Sequence, residues 1–177
     1  MTQTVFLVRH GAPDKKGFTG RYDLPPGPPL SDEGREHAEA TGQFLGAQGV
    51  TRLYHSPMAR ALQTSALIAS ELGLPSRQAD EIIEQPRGEL RDNLLQRVES
   101  FWEKRVLEQP DETVAAVSHG APIEYFLQKL TGSDTDADGR KFLSGTPLGG
   151  VWRLERLEDA SWHVTLAFDP SGIIQVA

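Results

Sequence analysis

The 177-residue chain contains no cysteine, which excludes disulfides and thiolate-held metals alike. It has no excess of positive charge: 18 lysines and arginines stand against 25 aspartates and glutamates, for a formal net charge of −7. Nonspecific nucleic-acid binding needs a basic stripe, so no nucleic-acid partner is expected. No apolar run approaches the ~18 residues of a membrane span. The start, MTQTVFLVRHG, lacks the basic flank, apolar stretch and small-residue cleavage site of a signal peptide. These absences lead to the expectation of a cytoplasmic protein with no membrane partner; a homodimer is compatible with them but not required. With 38% hydrophobic and 24% charged residues, the composition is that of one globular domain spanning 1–177.

What is present alternates. Thr4 to Val8 is an apolar, β-branched run ahead of a glycine, the pattern of a buried strand. A loop from Phe18 to Pro29 ends in PPGPP. Ser31 is the expected N-cap of a helix over 32–48, with Ala38, Phe44 and Leu45 inward. A second strand covers 51–55, and Ser56-Pro57 predicts a helix start running to Leu72, with Leu62, Ala66 and Ala69 on its inner face. A third helix is expected over 92–109 around Leu94, Val98, Phe101 and Trp102. Thr113 to Val117 reads as another buried strand, followed by a helix over 122–130. Val151 to Leu157 and Trp162 to Phe168 close the chain as a hairpin. This order predicts an α/β fold: a three-layer α/β/α sandwich, mostly parallel central sheet with helices on both faces, and a C-terminal β-hairpin.

Two segments echo each other. VFLVRHGAP (Val5–Pro13) and VAAVSHGAP (Val114–Pro122) both carry a strand-like run into His-Gly-Ala-Pro, 109 residues apart. Ligands of an open parallel sheet bind at the carboxyl ends of its strands. Neighbouring strands lie ~4.8 Å apart, so His10 and His119 at two such ends could face one bound group. A third segment, HSPMARALQTSALIA (His55–Ala69), places Arg60 in the first turns of a helix. A helix N-terminus already favours an anion. Arg9, His10, Arg60 and His119 would therefore form a positive pocket inside an acidic protein, suited to phosphate.

LVRHG, then SP-x-x-RA-x-QT, then VSHG, in this order from Val5 to about Thr131, resembles the histidine phosphatase superfamily, also called phosphoglycerate-mutase-like. The resemblance implies that His10 is a nucleophile taking the phosphoryl group. It implies that Arg9, Arg60 and His119 hold the phosphoryl oxygens and that a glutamate protonates the leaving oxygen. The stretch ADEIIEQPRGE offers Glu84 for that role, with Glu81 and Glu89 as rivals. Gly11, Thr19, Gly20, Arg21 and Gly120 are the expected substrate-binding residues. The implied ligands are a small phosphorylated substrate and inorganic phosphate.

The chain departs from the family pattern in three places, one of them QPRGELRD, which replaces the aromatic-acidic-glycine continuation that often follows the family's Leu-x-Glu. Ala12-Pro13-Asp14 stands where many members have Glu-Thr and a phosphate-contacting asparagine, and the FTGRYDLPPGPPLSDEG loop carries extra residues, apparently its PPGPP. No cofactor and no metal are expected: a zinc site from His10, His119 and carboxylates lacks any H-E-x-x-H spacing. His37 is expected to be exposed and His55 to serve packing, and His163 falls in the hairpin. Little more than one helix separates Glu84 from His119, which favours an open, water-accessible site and hence a phosphomonoester hydrolase. A protein phosphohistidine phosphatase, a mutase-type phosphotransferase and a catalytically silent phosphate-binding module are the alternatives.

Overall fold

TVFLVR, the first strand β1 (Thr4–Arg9), is buried over Val5–Val8. Successive strand residues point to opposite faces, so an unbroken apolar run requires cover on both sides. A computed structural model of the protein, which describes residues 3–172, supplies that cover. Phe6 and Val8 pack with Leu45, Leu53, Ile68 and Val117 on one face. Val5 and Leu7 pack with Leu94, Phe101, Phe126 and Trp152 on the other.

The elements after β1 are α1 (Asp32–Gly46), β2 (Arg52–His55), α2 (Ala59–Leu72), β3 (Ser76–Gln78), α3 (Arg91–Trp102), β4 (Val114–Ser118), α4 (Gly120–Thr131), β5 (Val151–Arg156) and β6 (Trp162–Phe168). The six strands form one sheet in the order β3-β2-β4-β1-β5-β6. β3, β2, β4 and β1 run parallel, while β5 and β6 form an antiparallel edge. The expected mostly parallel sheet with a terminal hairpin is what the chain adopts. β1 and β4 are neighbours in one register from Val5↔Val114 to Arg9↔Ser118. The echoed segments therefore lie side by side, and His10 and His119 leave the sheet at the same level.

Ser31 caps α1 as its sequence predicts: its Oγ accepts from the Gly34 N–H at 3.0 Å and its hydroxyl donates to the Ala12 carbonyl at 3.0 Å. The α2 start differs from expectation. Ser56 and Pro57 stay outside the helix, the cap is Met58 without a side-chain bond, and the helix begins at Ala59. The phase changes with it: Leu62 is exposed and Ala66 faces solvent, whereas Arg60, Ala61, Thr64, Ser65 and Ile68 are buried. The inner face is polar because it holds the site, described below. The helix expected over 92–109 is α3 followed by a π-helical turn at Glu103–Leu107. α4 starts at Gly120, two residues before the expected point. β3 was not expected, since Ser76-Arg77-Gln78 has no apolar pattern, and neither was the 3₁₀ turn Asp80–Ile82. His37 is half-buried, with Nε2 3.8 Å from Glu33, rather than exposed. His55 is buried, its Nδ1 2.9 Å from the Ser56 carbonyl. None of the described helices is long and apolar enough to cross a membrane.

Candidate active site

His10 follows β1 directly, and its backbone N–H donates to the Ser118 carbonyl of β4 at 3.1 Å. Its Nδ1 lies 2.7 Å from the Gly11 carbonyl. A carbonyl only accepts, so Nδ1 carries the proton and Nε2 presents a bare lone pair. The Arg60 Nε–H donates to that Nε2 at 3.0 Å. His119 caps α4, with Nε2 2.7 Å from Ser56 Oγ and Nδ1 3.2 Å from Arg60 Nη2. Arginine only donates, so here Nδ1 is bare and Nε2–H points at the serine. The two rings stand 5.0 Å apart between centroids.

Arg60 is fully buried and is the hub. Besides the two imidazoles, its Nη2 donates to Glu84 Oε2 at 3.3 Å and its Nη1 to the Tyr22 carbonyl at 3.1 Å. The Tyr22 ring covers the guanidinium, 4.1 Å from its centroid. The covering loop approaches so closely at Gly27, where φ is +65°, that a Cβ there would lie 2.7 Å from Arg60 Nη1. Tyr22 was not singled out by sequence; its role depends on the path of a loop with no periodic signal.

Both imidazoles are neutral. Burial first, then the charges of Arg60, Arg9 and Lys15, push His10 down from 6.5 to about 3 against the opposing Gly11 bond. Burial, followed by the repulsion a protonated His10 would exert and the charges of Arg60, Arg97 and Arg9, lowers His119 well below its ordinary value. A neutral imidazole with a free Nε2 is a nucleophile without prior deprotonation.

Of the three candidate glutamates, Glu84 alone reaches the cluster, its Oε2 lying 3.5 Å from His119 Nδ1 as well as against Arg60. Glu89 is bound to Arg97 at 2.8 Å, and Glu81 makes no side-chain hydrogen bond among the described residues. Arg9 is half-buried beside Gly120; its Nη1 donates to the Thr146 carbonyl at 2.6 Å, while its Nε is buried without a partner. The donor atoms of His10, Glu84 and His119 lie within 4.8 Å of one another, a spacing that could hold a metal ion. Arg60 donates to all three, so a fixed positive group already stands among them.

The expected substrate-binding residues separate. Gly11 packs under the site: its N–H donates to Thr64 Oγ1 at 3.0 Å, and a Cβ would lie 2.3 Å from the Gly34 carbonyl. Thr19 and Gly20 are exposed and, among the described residues, make no hydrogen bond to the buried cluster. Arg21 is ion-paired with Asp23, which also accepts from the Arg87 N–H at 2.6 Å. The loop reaches Arg60 through Tyr22, not through Thr19–Arg21. Tyr22, Arg21, Asp23, Gln85 and Arg87 line a cavity of about 550 Å³.

The family profile described as the histidine phosphatase superfamily (branch 1) matches residues 5–91 and 78–166. The chain belongs to this superfamily. It is 26% identical over 165 residues to the uncharacterized phosphatase PhoE of Bacillus subtilis (strain 168), a match covering 79% of this chain and 83% of PhoE. Over 80 residues it is 40% identical to the 2,3-bisphosphoglycerate-dependent phosphoglycerate mutase of Brucella ovis, covering 42% of this chain but only 37% of the mutase. Among solved structures, Bacillus stearothermophilus YhfR superposes with TM-score 0.73 at 21% identity, covering 93% of this chain and 96% of YhfR. The native mycobacterial glucosyl-3-phosphoglycerate phosphatase superposes with TM-score 0.70 at 18% identity, covering 94% and 98%. At such identities the superpositions establish the fold. As a member of the histidine phosphatase superfamily the protein is a phosphatase- or mutase-like enzyme.

Proposed function

We propose that the protein is a metal-independent phosphomonoester hydrolase that acts through a phosphohistidine on a small phosphorylated metabolite. The observation that carries this reading is the single buried guanidinium of Arg60, shared by His10 Nε2, His119 Nδ1 and Glu84 Oε2. A phosphoryl group entering there takes over the Arg60 hydrogen bonds with its oxygens, and Arg9, with its unpartnered Nε, supplies a second fork. His10 Nε2, released from Arg60, forms the N–P bond as the P–O bond to the alcohol breaks. Glu84, as the carboxylic acid, gives its proton to the departing oxygen. Water then attacks phosphorus, its proton returns to Glu84, the N–P bond breaks, and phosphate leaves. Arg60 and Arg9 stabilise the charge spread over the equatorial oxygens, so positioning and electrostatics do most of the work.

Hydrolysis is favoured over transfer to a second alcohol because the cavity at Tyr22, the residue that covers Arg60, is bounded by two short loop stretches, at Arg21–Asp23 and Gln85–Arg87. Between Glu84 and β4 the chain builds only α3, its π turn and connecting loops, which gives water a route to the phosphohistidine. The purified protein is expected to hydrolyse p-nitrophenyl phosphate in excess chelator, and His10→Ala to be inactive. Brief exposure to labelled substrate should leave an acid-labile, base-stable adduct on the wild type only. Activity that vanishes under chelation and returns with a divalent ion would refute the metal-free mechanism, and label on another residue would refute the nucleophile.

A further inference from the structure

Glu84 lies in an irregular segment between the 3₁₀ turn and α3, where no sheet or helix fixes its backbone. Four consecutive carbonyls, from Glu81 to Glu84, are nevertheless all satisfied, and each by a side chain. Arg97 of α3 donates through Nη1 to the Glu81 carbonyl at 2.7 Å and to the Ile83 carbonyl at 2.8 Å. Through Nη2 it donates to the Glu84 carbonyl at 3.3 Å. The Ser118 hydroxyl, at the end of β4, takes the Ile82 carbonyl at 2.7 Å. The remaining donors of Arg97 form a two-point pair with Glu89, 2.8 Å at both Nε and Nη2.

We propose that Arg97, held by Glu89, is the positioning residue that sets the Glu84 carboxyl against His119 and Arg60. The proposal rests on the phosphatase reading above for its effect on rate, and on geometry alone for its effect on Glu84. The planar fork of an arginine spans three carbonyls and a carboxylate at once, which the point charge of a lysine does not. Half-buried carbonyls left without partners would relax toward water and carry Glu84 with them. Glu89 thus has a role in the site without touching the substrate: it orients the arginine that orients Glu84.

The consequence is selective. Proton donation limits the rate for an alkyl leaving group and matters little for a good aryl one. Arg97→Lys should therefore lower kcat/KM for β-glycerophosphate by about tenfold or more and for p-nitrophenyl phosphate by less than about threefold. In the Glu84→Gln background the same substitution should add less than about twofold, because the group it positions is gone. Guanidinium ion added to Arg97→Ala should restore part of the β-glycerophosphate rate. Equal losses on both substrates, or a full multiplicative effect in the double variant, overturn the proposal and leave Arg97 a stabilising residue only. If the wild type hydrolyses neither substrate, the phosphatase reading fails. The clamp is then judged by the side-chain ¹⁵N signals of His119, which lies 3.5 Å from Glu84. They should move in Arg97→Lys in the direction seen for Glu84→Gln, and unmoved signals refute the positioning role.

Discussion

The buried neutral His10 ties catalytic readiness to the stability of the fold, and the tie is measurable. Its imidazole is held at about 3 in the folded protein against 6.5 in a solvated chain. As pH falls below about 6.5 the unfolded chain binds a proton that the folded protein refuses, so stability present above that pH is lost progressively toward about 3. At pH 5 the unfolded imidazole is protonated by a factor of about thirty, which favours the unfolded state by about 2 kcal/mol relative to pH 8. His10→Gln keeps an acceptor for the Arg60 Nε–H but has no proton to bind. Urea unfolding of both proteins at the two pH values isolates His10 together with its coupling to His119, because titrating groups that do not feel His10 cancel in the difference. The wild type should lose about 2 kcal/mol more than the variant, an extra midpoint shift of about 1 M if the slope is near 2 kcal/mol/M. Identical pH dependence in the two proteins would mean that His10 is solvated or charged in the folded state. His10 would then not be a nucleophile that burial holds neutral.

Arg60→Lys keeps the charge but cannot bridge two imidazoles and a carboxylate; kcat/KM for an aryl phosphate should fall by at least about a hundredfold, measured on a protein with an unchanged circular dichroism spectrum. Gly34→Ala sets two effects against each other. Alanine gains about 1 kcal/mol of helix propensity in α1, but its Cβ would lie 2.0 Å from the Ala12 carbonyl, a backbone atom that cannot rotate away. Overpacking wins, and the expected outcome is a melting temperature lower by about 4–8 °C, read by thermal scanning.

Those features of the fold that follow from hydrophobic pattern were legible before the structure. β1 and β4 stood out as apolar runs because both their faces are covered, and Ser31 stood out because a cap has a local chemical signature. The buried group His10, Arg60 and His119 was likewise accessible, since each sits at an element end in a short motif, whereas Glu84 was one of three candidate glutamates and is singled out by its contacts with Arg60 and His119. What escaped was set by contacts distant in sequence. The start of α2 was misjudged because Pro57 fits a first helical turn equally well, yet Ser56 is held at His119 and the helix waits until Ala59. Its inner face carries Thr64 and Ser65 in place of Leu62, since Thr64 holds the Gly11 N–H. Arg97 was one arginine among the charges of α3, and its partners are backbone carbonyls, which leave no trace in a sequence. Tyr22 came to lie on Arg60 through the course of a loop that has no period.

The shared register of β1 and β4 has a use in protein engineering. The separation of the two imidazoles is set by the ladder between adjacent strands, so it is independent of the hundred-odd residues that connect them. The stretches around Tyr22 and Arg87 form the rim of the cleft and lie outside that ladder. The parts of them that do not touch Arg60 can be lengthened, shortened or exchanged for a different cap while the two imidazoles stay in place, but Tyr22 itself has to be kept, because its carbonyl and ring hold Arg60. New specificities can therefore be grafted by replacing the rest of the rim, provided Tyr22 on Arg60 and the clamp from Arg97 to the Glu84 segment are carried along.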